Sequence, residues 1–389
     1  FICRRIFRRV FAVGVRVGTG GGLPGLPGGW FGGSQAQQAV PGLKGTIKLE
    51  SPVEVARQAV GPDGGTITVG TNGGPLAGMT IAVPKGAYDA PREFRVSYQA
   101  ITSQTYGASI KPVGPMVVVE NGGGYARENI QVRIPAKVDS GDFAMAFYYD
   151  DQTNRLEALP LIEEAADHVT VMTRHFSKFF PTATAEAILL DGTYETGFVP
   201  GVDDWPFVNR GSYVEPDGHC AGQSISAMWY FFAKRRVDPS ANPPLSGRYD
   251  NNGNEPKSPG MDEDDSRSYR LASVVQHDLD FGSWSRNWLI EFSKIDDRLT
   301  YLSFAYALLV TGHPQYVGLR SDDGGHAIIA YRAEQRTLYV ADPNAPGAKD
   351  RRIALKDGKF EPFDSFLKVG DPPMRFPFIR YIASSATVD

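Results

Sequence analysis

The sequence predicts a multi-domain chain, an N-terminal all-β antiparallel sandwich followed by an α+β domain. Two observations carry this. Residues 46–184 consist of short alternating apolar runs separated by turns, with no helical period among them. Beyond residue 185 helix-period segments come first and strand-period segments second, the order of an α+β domain. A chain of 389 residues is long enough for two such cores.

Residues 1–45 precede both units. Gly18-Thr19-Gly20-Gly21-Gly22 and Leu23-Pro24-Gly25-Leu26-Pro27-Gly28-Gly29 give this stretch the composition of a flexible leader. Its glycines lack the strand-then-helix context of a phosphate loop. Arg4, Arg5, Arg8 and Arg9 precede the apolar run Val10–Val15, the order of a secretory signal, although Arg16 interrupts it. The expectation is an exported or cell-surface protein, with a cytoplasmic one as the alternative. No stretch has the length and apolarity to span a membrane.

Bulk chemistry narrows the partners. The formal net charge of −4 argues against nucleic acid, whose binding rests on a basic surface. The two cysteines are Cys3, in the leader, and Cys220, so no structural disulfide is expected. No Cys or His pair has metal-ligand spacing, and neither metal nor cofactor is expected. The acidic run Met261-Asp262-Glu263-Asp264-Asp265 lacks the spacing of a calcium loop and reads as part of a polar surface loop over residues 238–268.

In the first unit the strands fall at Thr66–Val69, Met79–Val83, Phe94–Ile101, Met116–Glu120, Ile130–Ile134, Phe143–Tyr149 and Val169–Thr173, with Asn121-Gly122-Gly123-Gly124 as a turn. Three phrases stand out: Gly64-Gly65-Thr66-Ile67, Met79–Pro84 with Lys85-Gly86-Ala87, and Thr173-Arg174-His175-Phe176-Ser177-Lys178-Phe179. With them residues 46–184 resemble the ZU-type β-domain of ankyrins, netrin receptors and some death-domain proteins. Some members of that family, and related domains, cut themselves before the Ser of such a His-Phe-Ser phrase. The resemblance therefore makes Phe176–Ser177 a candidate self-cleavage bond, with Ser177 attacking the preceding carbonyl and His175 taking the proton. Closing the last strand of the sandwich is the simpler role for the same residues.

The second unit, residues 185–389, is organised around Asp217-Gly218-His219-Cys220-Ala221-Gly222-Gln223-Ser224. This polar turn runs into an apolar segment in which Ala221, Ile225, Met228 and Phe232 share one helical face. Trp229 and Phe231 lie off that face, which predicts a helix buried nearly all round. Its N-terminal amides and dipole favour thiolate over thiol at Cys220. Further helices are predicted over Tyr269–Asp278, Trp288–Phe292 and Arg298–Thr311. Strands follow at Gln315–Leu319, His326–Tyr331 and Thr337–Asp342, with a turn near Ala333–Arg336. His326 and Asp342 are sixteen residues apart, and the hairpin brings them to one end of the sheet. Cys at a helix start, His on a later strand and Asp342 or Asn344 beyond the partner strand are the parts of a nucleophile, a base and an orienter.

With these residues the stretch from about 195 to 385 resembles a papain-like cysteine peptidase of the bacterial type, and in particular the peptidases that remove double-glycine leaders. There a Cys begins a helix, Gly-His begins a strand and Asp-Pro supplies the orienting residue. The resemblance implies Cys220 as nucleophile, His326 as base and Asp342 as orienter. Papain's own use of Asn keeps Asn344 as the rival. The implied activity is hydrolysis of a peptide or protein substrate through a thioester. Peptidoglycan amide hydrolysis, acyl transfer and an inactive binding module are the alternatives. One departure is plain: such enzymes place a Gln six residues before the Cys to help hold the oxyanion, and this chain has Val214. Asn209 and Ser212 are the substitute donors considered. Oligomeric state and cleavage preference are not written in these features.

Overall fold

The computed structural model describes residues 42–245, 267–279, 295–368 and 370–383. The basic segment with Cys3, the acidic run 261–265 and the apolar stretch Trp288–Phe292 lie outside them. Within them the molecule is β-rich, with several antiparallel sheets and a few helices. No described helix is long and apolar enough to cross a membrane.

The first unit has two principal sheets. One runs in the order β11 (Arg155–Ala158), β10 (Asp142–Asp150), β14 (Lys178–Ala185), β8 (Met116–Glu120), β5 (Arg92–Gln99) and β2 (Val53–Val60), with β7 (Lys111–Pro112) also on β14. The other runs β12 (Leu161–Ala165), β13 (His168–Thr173), β9 (Ile130–Pro135), β4 (Thr80–Val83) and β3 (Gly65–Thr68). A short pair, β1 (Ile47–Leu49) with β6 (Ile101–Gln104), stands beside them. Alternation places Ile130, Val132 and Ile134 of β9 inward, and likewise Phe94 and Val96 of β5, so both sheets feed one core. Pro181 sits inside β14 although proline donates no ladder bond. It is tolerated because β8 pairs with Lys178 and Phe179, while β7 pairs with Thr182 and Ala183, leaving Pro181 between them.

β10 is buried on both faces. One face joins the sandwich core. The other is covered by a helix of the second unit, α4, which spans Asp297–Thr311 after the shorter α1 (Glu186–Asp191), α2 (Cys220–Tyr230) and α3 (Arg267–Asp278). Tyr306 of α4 meets Phe147 and Phe143 edge-on at 5.1 and 6.1 Å, and its hydroxyl donates to the Ser109 carbonyl at 2.8 Å. Phe304, from the same helix, meets Tyr381 of the second sheet at 4.9 Å. α4 is therefore core to both units. The end of the leader docks on it too, since Leu43 N donates to Val310 O.

The second sheet runs β20 (Lys359–Phe360), β19 (Arg352–Lys356), β18 (Thr337–Ala341), β17 (Gly325–Glu334), β16 (Gln315–Arg320) and β23 (Phe378–Ile382), with β15 (Thr193–Glu195) added to β17. β21 (Phe363–Ser365) and β22 (Met374–Phe376) form a separate hairpin. β17 and β18 are joined by Gln335 and Arg336, both at positive φ, the geometry of a tight hairpin turn. This puts the start of β17 and the end of β18 at the same end of the sheet. α2 is buried along its length, and Ser224 Oγ on it donates to Ala327 O of β17.

Candidate active site

The turn before α2 is built to deliver Cys220. Gly218 adopts φ +115°, which a side chain would oppose. Asn209 accepts from His219 N at 2.7 Å through Oδ1 and donates through Nδ2 to Leu367 O at 2.8 Å. Its own N–H reaches Pro343 O at 3.0 Å. One buried residue, through side chain and backbone together, thus ties the nucleophile turn to the loop that carries Asp342. Cys220 is half-buried, and the N–H groups of Cys220 and Ala221 find no acceptor among the described residues. Gly222 N is taken by Gln276 Oε1 of α3 at 2.9 Å.

His326 opens β17 and Asp342 follows β18, and the two side chains are fully buried together. Nε2 of His326 lies 2.8 Å from Asp342 Oδ1. Nδ1 is buried without a formed hydrogen bond, and the Cys220 sulfur is near enough to act on the ring. Burial presses the imidazole toward neutrality, but the charges of Cys220 and Asp342 and the hydrogen bond to Asp342 outweigh it. The imidazolium is favoured well beyond the ordinary histidine range. Asp342 is likewise desolvated, yet the bonds from His326 and Asn344 N and the Arg351 charge hold it below the usual carboxylate range. Phe376 covers the imidazole at 6.0 Å between ring centres.

Asn344 sits beside the pair without orienting it. Its Nδ2 is 3.2 Å from His326 Nε2, and the same Nδ2 donates to Phe366 O at 2.9 Å and Ser365 Oγ at 3.1 Å. The Phe366 carbonyl can only accept, so the nitrogen end of the amide is fixed there. An amide nitrogen cannot accept the Nε2 proton, and Asp342 holds the tautomer. The Asn344 backbone N–H supports it by donating to Asp342 Oδ1 at 2.8 Å.

Of the substitute oxyanion donors considered, Asn209 Nδ2 donates to Leu367 O, while Ser212 is fully buried with its Oγ accepting from Glu215 N at 3.1 Å. Val214 is exposed and apolar. Gln223 turns back to His219, Nε2 to Nδ1 at 3.0 Å. His219 packs edge-on to Tyr269 at 4.5 Å, and burial pushes its imidazole down to about 4, which keeps it neutral. The space at Gly324 is filled from within the chain, because a Cβ there would come 2.6 Å from the Leu367 side chain. Arg351 and Ser365, both on Asp342 Oδ2 at 2.9 Å, were not singled out by sequence reasoning. Their residue types carry no signal of their own.

The His175-Phe176-Ser177 phrase crosses from β13 to β14, and so from one sheet to the other. Tyr148 and Thr173 hydroxyls both donate to His175 O, at 2.7 and 2.5 Å. The His175 ring lies between Tyr125 and Tyr148, with Nδ1 3.3 Å from the Tyr148 hydroxyl. Burial first, and the Arg174 charge second, lower its pKa to about 4. Phe176 packs edge-on to Phe94 at 5.7 Å, and Ser177 is exposed. His175 and Ser177 line a cleft of about 940 Å³ between the two units, whose far wall includes Trp229 and Phe232 but not Cys220. The phrase and the Cys220 constellation are separate places.

What this arrangement can do is present a thiol to a carbonyl beside a charged, oriented imidazole. No protein-family model matches the chain, and no curated protein is recognisably similar to it in sequence.

Proposed function

We propose that the chain is a thiol-dependent hydrolase of papain-like organisation, cutting peptide bonds. The observation that carries this reading is Cys220 at the start of α2 beside the buried His326–Asp342 pair. The Cys220 thiolate attacks the scissile carbonyl, and the resulting oxyanion receives the free Cys220 N–H. The His326 imidazolium protonates the leaving amine and then, as a neutral base, activates water to hydrolyse the thioester. Asp342 keeps Nε2 protonated, so that Nδ1 serves the sulfur. In this reading the sandwich, joined to this unit through α4, binds or positions the substrate.

The test is iodoacetamide labelling of intact protein with peptide mapping. Cys220 is expected to react near pH 6 much faster than a free thiol, and Cys220→Ala to abolish hydrolysis of a casein-type substrate. Labelling at the free-thiol rate overturns the reading. A second reading, an inactive binding module, draws on the absent side-chain oxyanion donor at Val214. It predicts fast labelling of Cys220 without turnover of peptide, peptidoglycan or thioester substrates.

A further inference from the structure

Asp342 lies at the end of a short chain of groups that reaches the surface, and one of them is charged. Each carboxylate oxygen accepts two hydrogen bonds. Oδ1 takes His326 Nε2 and Asn344 N, while Oδ2 takes Ser365 Oγ and an Arg351 Nη2, each at 2.9 Å. Arg351 is fixed on three sides. The same Nη2 donates to Asp364 O at 2.6 Å, the guanidinium stacks over Phe363 at 4.4 Å, and the Arg351 carbonyl accepts from Val340 N, one turn of strand before Asp342. Its side chain is 29% exposed whereas that of Asp342 is 0%.

We infer that Arg351 is a positioning residue for the thiol chemistry, holding the Asp342 carboxylate in register and setting the pH range over which the Cys220–His326 ion pair exists. This rests on the hydrolase reading above. The charged groups acting on the pair are few. α2 contributes Cys220, β16 contributes Tyr316, a phenol that burial and the Cys220 charge keep neutral, the loop between β18 and β19 contributes Arg351, and the β21–β22 hairpin contributes the uncharged Ser365 and Phe376. The Asp364 carboxylate of that hairpin points away to Arg375, 3.9 Å off. Arg351 is thus the one cation other than the imidazolium that touches Asp342 among the described residues. A positive charge on Oδ2 opposes the proton on the neighbouring imidazole and favours the thiolate. Removing it while keeping a donor raises both the pH at which the thiolate forms and the pH at which the imidazolium is lost. Mere loosening does the opposite to the second limb. Water entering the site weakens the ion pair, so the thiolate forms later and the imidazolium is lost earlier, and the profile narrows.

The experiment is the pH dependence of Cys220 carboxamidomethylation by iodoacetamide in the intact chain, read by mass spectrometry so that Cys3 is scored separately. Arg351→Gln is expected to move the whole two-limbed profile to higher pH by about half a unit, with the alkaline limb moving at least as far as the acid one. Arg351→Lys, which keeps the charge, is expected to keep the wild-type limbs. Limbs unmoved in Arg351→Gln overturn the inference, as does equal narrowing in both variants. Should Arg351→Gln not fold, Arg351→Lys decides alone, with limbs displaced from wild type as the refuting result. A wild-type profile with a single free-thiol limb overturns the parent reading instead, so the two failures are told apart.

Discussion

His326 Nε2 and Asp342 Oδ1 lie 2.8 Å apart in a pocket that excludes water from both side chains. A buried charge pair of this kind is costly to break, since removing one partner leaves the other desolvated and alone. Here the cost is tied to chemistry, because the same carboxylate fixes which imidazole nitrogen faces Cys220.

Asp342 and Asn344 are therefore predicted to behave differently. Asp342→Asn keeps the shape but offers a donor or a weaker acceptor to Nε2, and turnover is expected to fall on the order of 10²- to 10⁴-fold. Asn344→Ala removes the bonds to Phe366 O and Ser365 Oγ, costing about 1–3 kcal/mol of stability, with less than about a tenfold loss of kcat. Steady-state kinetics and urea midpoints on the two variants check this. Equal losses of turnover would make Asn344 the orienter.

The pair also sets a pH dependence of stability. The folded His326 binds its proton more tightly than an unfolded histidine, whose pKa is about 6.5. Its contribution is complete below that pH and is lost as pH rises toward the folded value. Asp342 is shifted the other way, so its contribution is present above about pH 4 and lost as pH falls. Wild-type Tm is expected to decline from pH 6 to pH 9, and the decline to flatten in His326→Gln. Parallel Tm curves for the two proteins would refute the assignment.

At the His175-Phe176-Ser177 crossover the structure favours an intact chain. Burial keeps the imidazole that would accept the Ser177 proton a weak base, and its Nδ1 is held on the Tyr148 hydroxyl oxygen. Tyr148 and Thr173 also hold the His175 carbonyl. Purified protein is expected to run as one full-length band under denaturing conditions, unchanged by Ser177→Ala. A fragment pair with Ser177 as a new N-terminus, absent from Ser177→Ala, would show that the bond is cut.

The strand alternation of the sandwich, the buried α2 and the β17–β18 hairpin were legible because each leaves a periodic or turn signal in a short window. The residue types of Cys220, His326 and Asp342 marked them as candidates, and the hairpin brings His326 and Asp342 together as its spacing implies. What decides between Asp342 and Asn344 is the direction in which one amide points, and Phe366 sets that from a distant loop. Asn209 looked like an oxyanion donor but is consumed in tying Leu367 and His219 together. Nor does the apolar run Phe143–Tyr149 say what covers its second face. Only the fold reveals that α4 does so.

That covering helix predicts coupled unfolding. Tyr306 is buried against Phe143 and Phe147 of the sandwich, while Phe304 from the same helix packs on Tyr381 of the second sheet. Tyr306→Ala is expected to cost about 3–5 kcal/mol and to lower the melting of both units together. Calorimetry should give one transition in wild type and in the variant. Two separated transitions, only one of them moved by the mutation, would refute a shared core.

Gly222 gives the sharpest link between packing and chemistry. It sits two residues after Cys220 where α2 and α3 cross so closely that a Cβ would lie 1.9 Å from the Ala272 carbonyl oxygen. The obstacle is backbone, which cannot rotate aside as a side chain can. Gly222→Ala must therefore push the helices apart or tilt α2, at a cost of about 1–3 kcal/mol or more. It also disturbs the hydrogen bond from Gly222 N to Gln276 Oε1 that anchors the first turn. A displacement of about 1 Å at Cys220 relative to His326 is enough to cost on the order of 10²-fold in rate. The variant is expected to show both a lower urea midpoint and slow Cys220 labelling near pH 6. An unchanged midpoint with wild-type labelling would mean that α2 and α3 are not in contact at this glycine.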